Sequence, residues 1–405
     1  MDGSTYDLMV MGTGITESML SGLCSLEGMN VLHVDANPFY GGDGASLNIT
    51  LLWERFRPGE PVPPELLPNR DWNIDLIPKF IMASGKLVKM IIKTRVTPYL
   101  TWKPVNASYV YQWQHGGLFS AERGVIEKIP SSDTEALASN LMSLFEKRRC
   151  QKFFQFAQNF NVADTKTHKK CDPNAPFSAL VPAFGLEANT VDFIGHAVAL
   201  YTSDEFLERP AVEVLERIKL YMDSVGRYSD SHFIYPFYGL AGIPESFARR
   251  CAVQGGTFML KVAVTGIAFD AQSGLWEVTG QYEGQPATCK ARKIIANPAY
   301  LEAAGLGRML RSVGVVRRVI CLLDHPVPGT RDVHAAQIIL PQKQTGRRSD
   351  IFIVVLGADL GVCKKGFFVA IISSTLERPD VDEDLAVAFG LLGPVRHRFV
   401  TQTEL

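Results

Sequence analysis

Residues 6–35 read YDLMVMGTGITESMLSGLCSLEGMNVLHVD, and this stretch decides the fold. The apolar run at 6–11 predicts a short buried β-strand. The Gly-Thr-Gly sequence at 12–14 predicts a tight turn, and residues 16–27 predict a helix. A second apolar run at 31–35 predicts another strand, which ends in an acidic residue. This order of strand, glycine turn, helix and strand is typical of the first βαβ unit of a dinucleotide-binding fold.

The glycine turn departs from a working dinucleotide fingerprint at its third position. In G-x-G-x-x-G the third glycine lets helix and strand pack closely, while the helix N-terminus faces the pyrophosphate. Gly12 and Gly14 are present, but Glu17 stands where the third glycine belongs. Its carboxylate would add bulk and like-charge repulsion beside a pyrophosphate, although Asp35 still occupies the place of the ribose acid. We therefore expect a flavoprotein-like fold that has lost its cofactor, with flavin binding as the alternative.

The composition is that of an ordinary globular protein. A chain of 405 residues is expected to form two or three domains. Its 41 Lys and Arg against 42 Asp and Glu give a net charge of −1, which argues against bulk attraction to nucleic acid or to anionic membranes. Seven cysteines without a C-x-x-C pair favour reduced thiols over disulfides or structural zinc. The scattered histidines predict no catalytic or metal site.

The chain is expected to be cytoplasmic. Its N-terminus carries no cationic leader, its apolar runs are too short to span a bilayer, and its last residues, TQTEL, offer no prenylation motif. Residues 76–121 contain no Asp or Glu but six Lys or Arg, so this stretch is a candidate guide for a flexible partner tail or for anionic headgroups.

The remaining patterns predict a helical domain inserted into a sheet-forming chain. Residues 58–68 are dense in proline and predict an exposed linker or loop. A helix is predicted from Ser132, an N-cap candidate, through Leu141 and Phe145. Further helices are predicted at 188–200 and 211–224, and the strands predicted after residue 228 are 257–264, 275–282, 293–296, 315–323, 337–340, 351–356 and 367–373.

Seven segments, taken in order, resemble the superfamily of Rab GDP-dissociation inhibitors and Rab escort proteins: MGTGITESMLSG, LHVDANPFYGG, RDWNIDLIPKF, TEALASNLMSLFEKRR, RIKLY, YPFYGLAGIPESFAR and GGTFML. The resemblance implies an α/β (α+β) fold, like that of FAD- and NAD(P)-binding flavoproteins but without a functional cofactor, and an inserted all-helical domain. It places domain I, the Rab-binding domain, at 1–127 and 227–405, and domain II, the prenyl-binding domain, at 128–226.

The same resemblance implies a Rab-binding platform on domain I. Its residues would be Tyr40, Arg249, Thr257 and Met259, with Arg70 as a further candidate. Tyrosine and arginine are common interface anchors, and methionine adapts to different partner surfaces. One departure concerns Gly242, which stands where the family usually carries a platform glutamate.

The prenyl chain is expected to be held by burial among the helices of domain II, with five candidate lining residues: Leu141, Phe145, Phe154, Phe193 and Val198. The implied protein is a non-enzymic, monomeric carrier of GDP-bound, geranylgeranylated Rab GTPases with transient membrane contact. A Rab escort protein and an FAD-dependent oxidoreductase are the alternatives. Two further departures are a longer hairpin at 112–123 and an end shortly after residue 400, where relatives usually continue with a strand and a helix.

Overall fold

The computed structural model describes residues 5–114, 123–139, 141–169 and 171–405, and its chain forms two compact units. The first unit lies within Met1–Lys79, Met90–Trp102 and Pro236–Val313. The second lies within Phe80–Lys89, Lys103–Tyr235 and Gly314–Leu405.

The strands are β1 Thr5–Met11, β2 Val31–Val34, β3 Ser46–Leu47, β4 Ile74–Asp75, β5 Ile81–Met82, β6 Trp102–Pro104, β7 Ala107–Gln114, β8 Arg123–Lys128, β9 Phe233–Pro236, β10 Thr257–Met259, β11 Val262–Asp270, β12 Leu275–Tyr282, β13 Gln285–Ala296, β14 Val315–Leu323, β15 Ala335–Leu340, β16 Ile351–Gly357, β17 Phe368–Thr375 and β18 His397–Glu404. The helices are α1 Ile15–Leu26, α2 Ile49–Phe56, α3 Lys86–Lys93, α4 Asp133–Ala138, α5 Leu144–Asn159, α6 Phe177–Leu180, α7 Ala188–Phe193, α8 Ala211–Met222, α9 Gly242–Val253, α10 Pro298–Ala303, α11 Gln342–Thr345, α12 Val381–Asp384 and α13 Ala386–Leu392.

The first unit is built on a six-stranded sheet in the order β10-β2-β1-β13-β12-β11. The strands β10, β2, β1 and β13 are parallel, whereas β13, β12 and β11 form an antiparallel meander. Successive strand residues face opposite sides, so Leu8 and Val10 pack with Cys251 of α9, while Met9 and Met11 pack in the core on the other face. The helices α1 and α9 pack against each other.

The second unit is built on a seven-stranded sheet in the order β18-β14-β17-β16-β15-β7-β8. Its pairs are antiparallel except for β15 with β7, which run parallel. One face of the sheet packs against α12 and α13. The other face packs against the segment that carries the helices α4 to α8, since Val110 and Ile339 lie in one cluster with Leu141, Phe193 and Ala197. The helices α5 and α8 pack together around a set of phenylalanine rings.

The βαβ opening forms as predicted, with element ends that differ by one or two residues. The prediction of one strand at 257–264 is wrong, because Lys261 has a φ of 58° and the chain turns there. The two resulting strands lie at opposite edges of the sheet. The strands β7, β8 and β18 were not predicted, because their sequences lack strict alternation of apolar and polar residues.

The predicted helix beginning at Ser132 also needs correction. The Ser132 hydroxyl accepts a hydrogen bond from the Glu135 amide, so the predicted N-cap is present. The helix nevertheless ends at Ala138, and a new one starts at Leu144 with Ser143 as its N-cap. The three-segment division at 127/128 and 226/227 stays a prediction. Residues 115–122, which carry most of the 112–123 hairpin and the end of the acid-free stretch, lie outside the described residues.

The proline-dense segment at 58–68 is largely exposed, as predicted, and Leu66 anchors it, because its carbonyl accepts a 2.6 Å hydrogen bond from the Trp72 indole. In the ranges that the structure describes, no helix is both long enough and apolar enough to cross a bilayer. All seven cysteines are free thiols.

A buried charge cluster connects the helical segment to the second sheet. His196 lies on a π-helical turn, Ile194–Val198, and its ring is almost fully buried. Its Nδ1 lies 2.8 Å from Asp350 Oδ2 and its Nε2 lies 3.1 Å from Asp204 Oδ1. Lys343 Nζ then lies 2.7 Å from Asp192 and 3.2 Å from Asp204. Burial lowers the pKa of His196, but Asp350 and Asp204 outweigh it, so the pKa is raised.

The His196→Gln variant should therefore be less stable than the unchanged protein by about 3 kcal/mol, the cost of breaking a buried ion pair. Because the folded pKa is raised, the charge on His196 contributes fully below its ordinary value of about 6.5, and that contribution is lost as pH rises through the folded value. The difference in free energy of unfolding, measured by denaturant titration, should shrink from pH 6 to pH 9. Arg209→Gln, which breaks an exposed pair with Glu205, serves as the control. A difference that grows with pH would contradict this assignment.

Candidate functional site

A cavity of about 280 Å³ lies at the carboxyl ends of β1 and β2 in the first unit, where dinucleotide-binding folds hold their cofactor. Its lining residues are Gly12, Thr13, Gly14, Asp35, Ala36, Asn37, Gly42, Asp43, Ala263, Val264, Asn297, Ala299, Tyr300 and Ala303. The residues at its two polar ends decide whether a dinucleotide fits.

At the ribose end, the protein itself satisfies the Asp35 carboxylate. Oδ2 accepts hydrogen bonds from the Thr13 amide at 2.7 Å and from the Thr13 hydroxyl at 2.5 Å. Oδ1 accepts from the Asn37 amide at 2.7 Å and from its side-chain nitrogen at 2.9 Å. Asp35 is buried. A ribose hydroxyl would therefore have to displace bonds that the fold already makes.

At the phosphate end, Glu17 folds back over the glycine turn. A Cβ placed on Gly14 would lie 2.5 Å from Glu17 Oε2, so the carboxylate fills the space in front of the α1 N-terminus. Burial raises the pKa of Glu17 most strongly, its own amide and Asn297 lower it by hydrogen bonding, and the charges of Asp35 and Asp43 raise it further. A bound pyrophosphate would have to occupy the position that the Glu17 carboxylate already fills. The residues present do not fit a dinucleotide, as the sequence predicts from Glu17.

The turn is also fixed from below by His33, which sequence reasoning did not single out. Its Nε2 donates a 2.5 Å hydrogen bond to the Gly12 carbonyl, and its Nδ1 lies 3.1 Å from the Ser21 hydroxyl. Burial lowers the pKa of His33 to about 4, so the ring is neutral at physiological pH. On the other side of the turn, the hydroxyl of Tyr300, a residue distant in sequence, accepts a hydrogen bond from the Ala36 amide at 2.8 Å.

Beside this cavity lies the first residue of the predicted platform, Tyr40. Its half-buried ring lies 6.2 Å from the ring of Phe258 on β10. Burial raises the pKa of Tyr40, and the charge of the neighbouring Glu245 adds to the rise. Glu245 lies in the first turn of α9, three residues after Gly242, so this turn still places an acidic group close enough to act on Tyr40.

Arg249 lies on the exposed side of α9, with its guanidinium 4.9 Å above the ring of Tyr99. A cation over an aromatic face is held in orientation while its N–H edges stay available. Among the described residues Arg249 forms no ion pair. An exposed arginine can also serve as half of an internal salt bridge, but the described residues give Arg249 no such partner.

Thr257 and Met259 lie on β10, the edge strand next to β2. Thr257 is exposed and Met259 is half-buried against the core, while Phe258 between them faces the side of α9. Thr257 and Met259 thus border the sheet edge from one face. Tyr40, through its contact with Phe258, borders the same edge from the other face. Arg70 is separate: it is exposed on the turn Asn69–Asp71, with its Nε 3.8 Å from Asp71.

Gly242 is the first residue of α9, and the turn before it is held by a buried carboxylate. The Leu240 amide donates to Asp75 Oδ1 at 2.9 Å, and the Ala241 amide donates to the Ser46 hydroxyl at 3.1 Å. A Cβ placed on Gly242 would lie 3.5 Å from Leu100, an ordinary contact. The position therefore accepts a side chain, including the acid that the family resemblance leads one to expect.

The five candidate lipid-binding residues, all in the second unit, differ in burial. Val198 is 3% exposed and belongs to the core, Phe193 and Leu141 are half-buried against the sheet, and Phe154 is half-buried beside Phe153. Phe145 is 72% exposed. Leu141 and Phe193 pack in one apolar cluster with Val110 and Ile339, and the role of all five residues in lipid binding stays a prediction.

Three comparisons identify what this chain resembles. The model of the family described as GDP dissociation inhibitor matches residues 1–405. A guanosine nucleotide diphosphate dissociation inhibitor of Arabidopsis thaliana is 42% identical over 396 residues, which cover 97% of this chain and 85% of that protein. The crystal structure of a Rab GDI from Plasmodium falciparum superposes with a TM-score of 0.90 at 42% identity, covering 100% of this chain and 90% of that one.

A more distant likeness concerns the fold alone. An oxidoreductase from Methanosarcina mazei superposes with a TM-score of 0.60 at 14% identity, covering 99% of this chain and 87% of that one. The predicted fold class, a flavoprotein-like α/β fold with a helical insertion, is thereby confirmed.

From the cavity geometry, the purified protein should take up no flavin. Glu17 fills the phosphate end, and Asp35 is saturated by its own chain. Incubation with FAD followed by desalting should leave no visible absorbance band of bound flavin, and added FAD should not shift the melting temperature. A desalted protein that retains stoichiometric flavin would show that Glu17 moves aside.

Proposed function

We propose, because this chain belongs to the GDP dissociation inhibitor family, that it binds GDP-loaded, prenylated Rab GTPases, slows their GDP release, extracts them from membranes and carries them through the cytosol. The observation that carries the proposal is the family match over all 405 residues. The Rab GDI fold at a TM-score of 0.90 supports it, and Rab is named for that relative.

The platform would recognise the protein part of the GTPase. Tyr40 offers a half-buried ring with a polar tip, and Arg249 offers guanidinium edges that suit a carboxylate of the partner. Met259 adds a flexible apolar side chain at the neighbouring sheet edge, which suits a partner family with varied surfaces. Inhibition of GDP release follows if the complex stabilises the GDP-bound conformation more than the empty one.

The prenyl chain would be received by the helical part of the second unit. Each methylene moved from water to an apolar environment contributes about 0.8 kcal/mol, and the lost freedom of the chain and of the partner reduces the net gain. The half-buried Phe154 and Phe193 suit such a role better than Val198, which is already part of the core. We expect a monomeric carrier without enzymic activity, since Glu17 and Asp35 leave the dinucleotide position filled by the protein's own groups.

The direct test is extraction. Membranes that carry a geranylgeranylated Rab loaded with GDP are incubated with the purified protein, and the Rab released into the supernatant is measured after sedimentation. We expect stoichiometric release for GDP-loaded Rab and little for Rab loaded with a non-hydrolysable GTP analogue. Equal release in the two nucleotide states, or none in either, would reject the proposed function.

In the same assay, Tyr40→Ala and Arg249→Ala should each weaken Rab binding by about 1 to 3 kcal/mol, the range for interface anchors, without altering the melting temperature by more than a few degrees. Arg57→Ala is the matched control, because its guanidinium also lies over an aromatic ring, 4.8 Å from the centroid of Trp53. If the control loses as much affinity as Arg249→Ala, the platform assignment is wrong.

Gly242→Glu should tighten Rab binding by about tenfold, because one charge-assisted hydrogen bond contributes about 1.5 kcal/mol. The variant should also fold, since the added Cβ would make an ordinary contact with Leu100 and an acid in the first turn of α9 suits the helix dipole. Gly242→Gln has the same size and helix preference without the charge, so the affinity difference between the two variants isolates the carboxylate. Equal affinities would show that this position does not face an electropositive group of the partner.

A further inference from the structure

The first turn of α5 exposes two adjacent apolar side chains. Leu144 is 60% exposed and Phe145 is 72% exposed, although both stand in a helix that buries Phe153, Phe156 and Ala157 further along. Large apolar side chains exposed next to each other and bordered by polar residues often mark a site of interaction with a protein or a membrane. Neither side chain contributes to the core of the second unit, so the folded chain leaves both in contact with solvent.

The same side of α5 carries a row of cations. Arg148, Arg149 and Lys152 follow Phe145 by three, four and seven residues, so they share its helix face, and all three are exposed. The only acid in α5 is Glu146, which is buried. Its carboxylate accepts a hydrogen bond from the Glu187 amide at 2.8 Å and forms an ion pair with Arg149 at 3.0 Å. Arg148 and Lys152 form no ion pair with any described residue.

We propose that this surface, made by Leu144, Phe145, Arg148 and Lys152 and here called the α5 face, docks on an anionic lipid bilayer. The apolar pair would enter the interface between headgroups and acyl chains, while the two cations would pair with lipid phosphates and carboxylates. Charge complementarity selects a bilayer over a second copy of the chain, whose net charge is only −1. This proposal rests on the proposed function in one respect, since a carrier that removes proteins from membranes must reach the bilayer surface.

The small apolar area and the few cations of the α5 face also determine how strong the docking is. A single short apolar pair with a few cations gives weak, reversible binding, because stable anchoring requires a second signal of comparable strength. Weak docking suits a protein that must leave the membrane again with its cargo. It also predicts sensitivity to salt, because the cations act within a Debye length of about 8 Å at physiological ionic strength.

The test is co-sedimentation of the full chain, without any GTPase, with vesicles of phosphatidylcholine alone or with one third phosphatidylserine. Binding should require the anionic lipid and should fall several-fold between low and physiological salt. Phe145→Ser, and separately Arg148→Glu with Lys152→Glu, should each lower the bound fraction by about tenfold or more. Val162→Ser, at an apolar residue that is 53% exposed, and Lys290→Glu with Arg292→Glu, on β13, are controls that should bind as before.

A second measurement locates the contact. The Phe145→Trp variant should show a blue shift of the added tryptophan emission on mixing with anionic vesicles, relative to the unchanged protein. Equal binding to neutral and anionic vesicles, or full binding by both α5 variants, would overturn the proposal. So would a Phe145→Ser variant that binds vesicles normally but loses a soluble geranylgeranylated peptide, because the residue would then line a lipid pocket instead.

The outcome separates this inference from the proposed function. Vesicle binding that depends on the α5 face, together with failure to extract Rab, would leave the membrane contact standing and reject the carrier. Extraction that is normal in the Arg148→Glu, Lys152→Glu variant would reject the docking role and keep the carrier. Melting curves of each variant verify that the second unit is folded.

Discussion

The hydrogen bonds of Asp35 are the interaction on which the first unit depends. Its carboxylate holds Thr13 in the turn after β1 and Asn37 in the segment that leads to Tyr40. Its backbone amide donates to Met259 at the end of β10, and its carbonyl accepts from Val262 at the start of β11. One buried residue thus fixes the glycine turn, the Tyr40 segment and the strand that carries Thr257 and Met259, so the relative positions of these three segments depend on Asp35.

This arrangement shows how a dinucleotide-type fold can be held together by its own side chains. In a flavoprotein the cofactor itself bridges the glycine turn and the acid after β2, and both stay ready for a ligand. Here Glu17 lies at the helix N-terminus and Thr13 satisfies the acid, so the same two places are closed by side chains. The contacts that a ligand would make at these two places are made by the chain's own groups.

The parts of this architecture that depend on local sequence were predictable. The βαβ opening follows from strand periodicity and one glycine turn, and the misfit at the phosphate end of the cavity follows from a single residue, Glu17. Contacts between distant residues were not predictable. The strand break at Lys261 depends on a hydrogen bond that the Lys261 amide donates to the Asn37 carbonyl, and the orientation of Arg249 depends on Tyr99. The charge of His196 depends on Asp350, more than one hundred positions away in sequence. The platform residues themselves came from a family resemblance, because no periodic pattern distinguishes Tyr40 or Met259 from core residues. Burial was not predictable either, since Phe145 is 72% exposed and Val198 only 3%, although both lie in the same predicted helical domain.

The shortness of β10 has a consequence for how the protein behaves at high concentration. An open strand edge is a template on which other chains can add as new strands, and aggregation often starts there. β10 is only three residues long and is bounded by a residue of positive φ, so its free edge offers too few amide and carbonyl groups for a foreign strand to register. A folded partner can still use the side chains that project there. The sheet edge is thus better suited to contact with a folded surface than to the addition of an extended peptide.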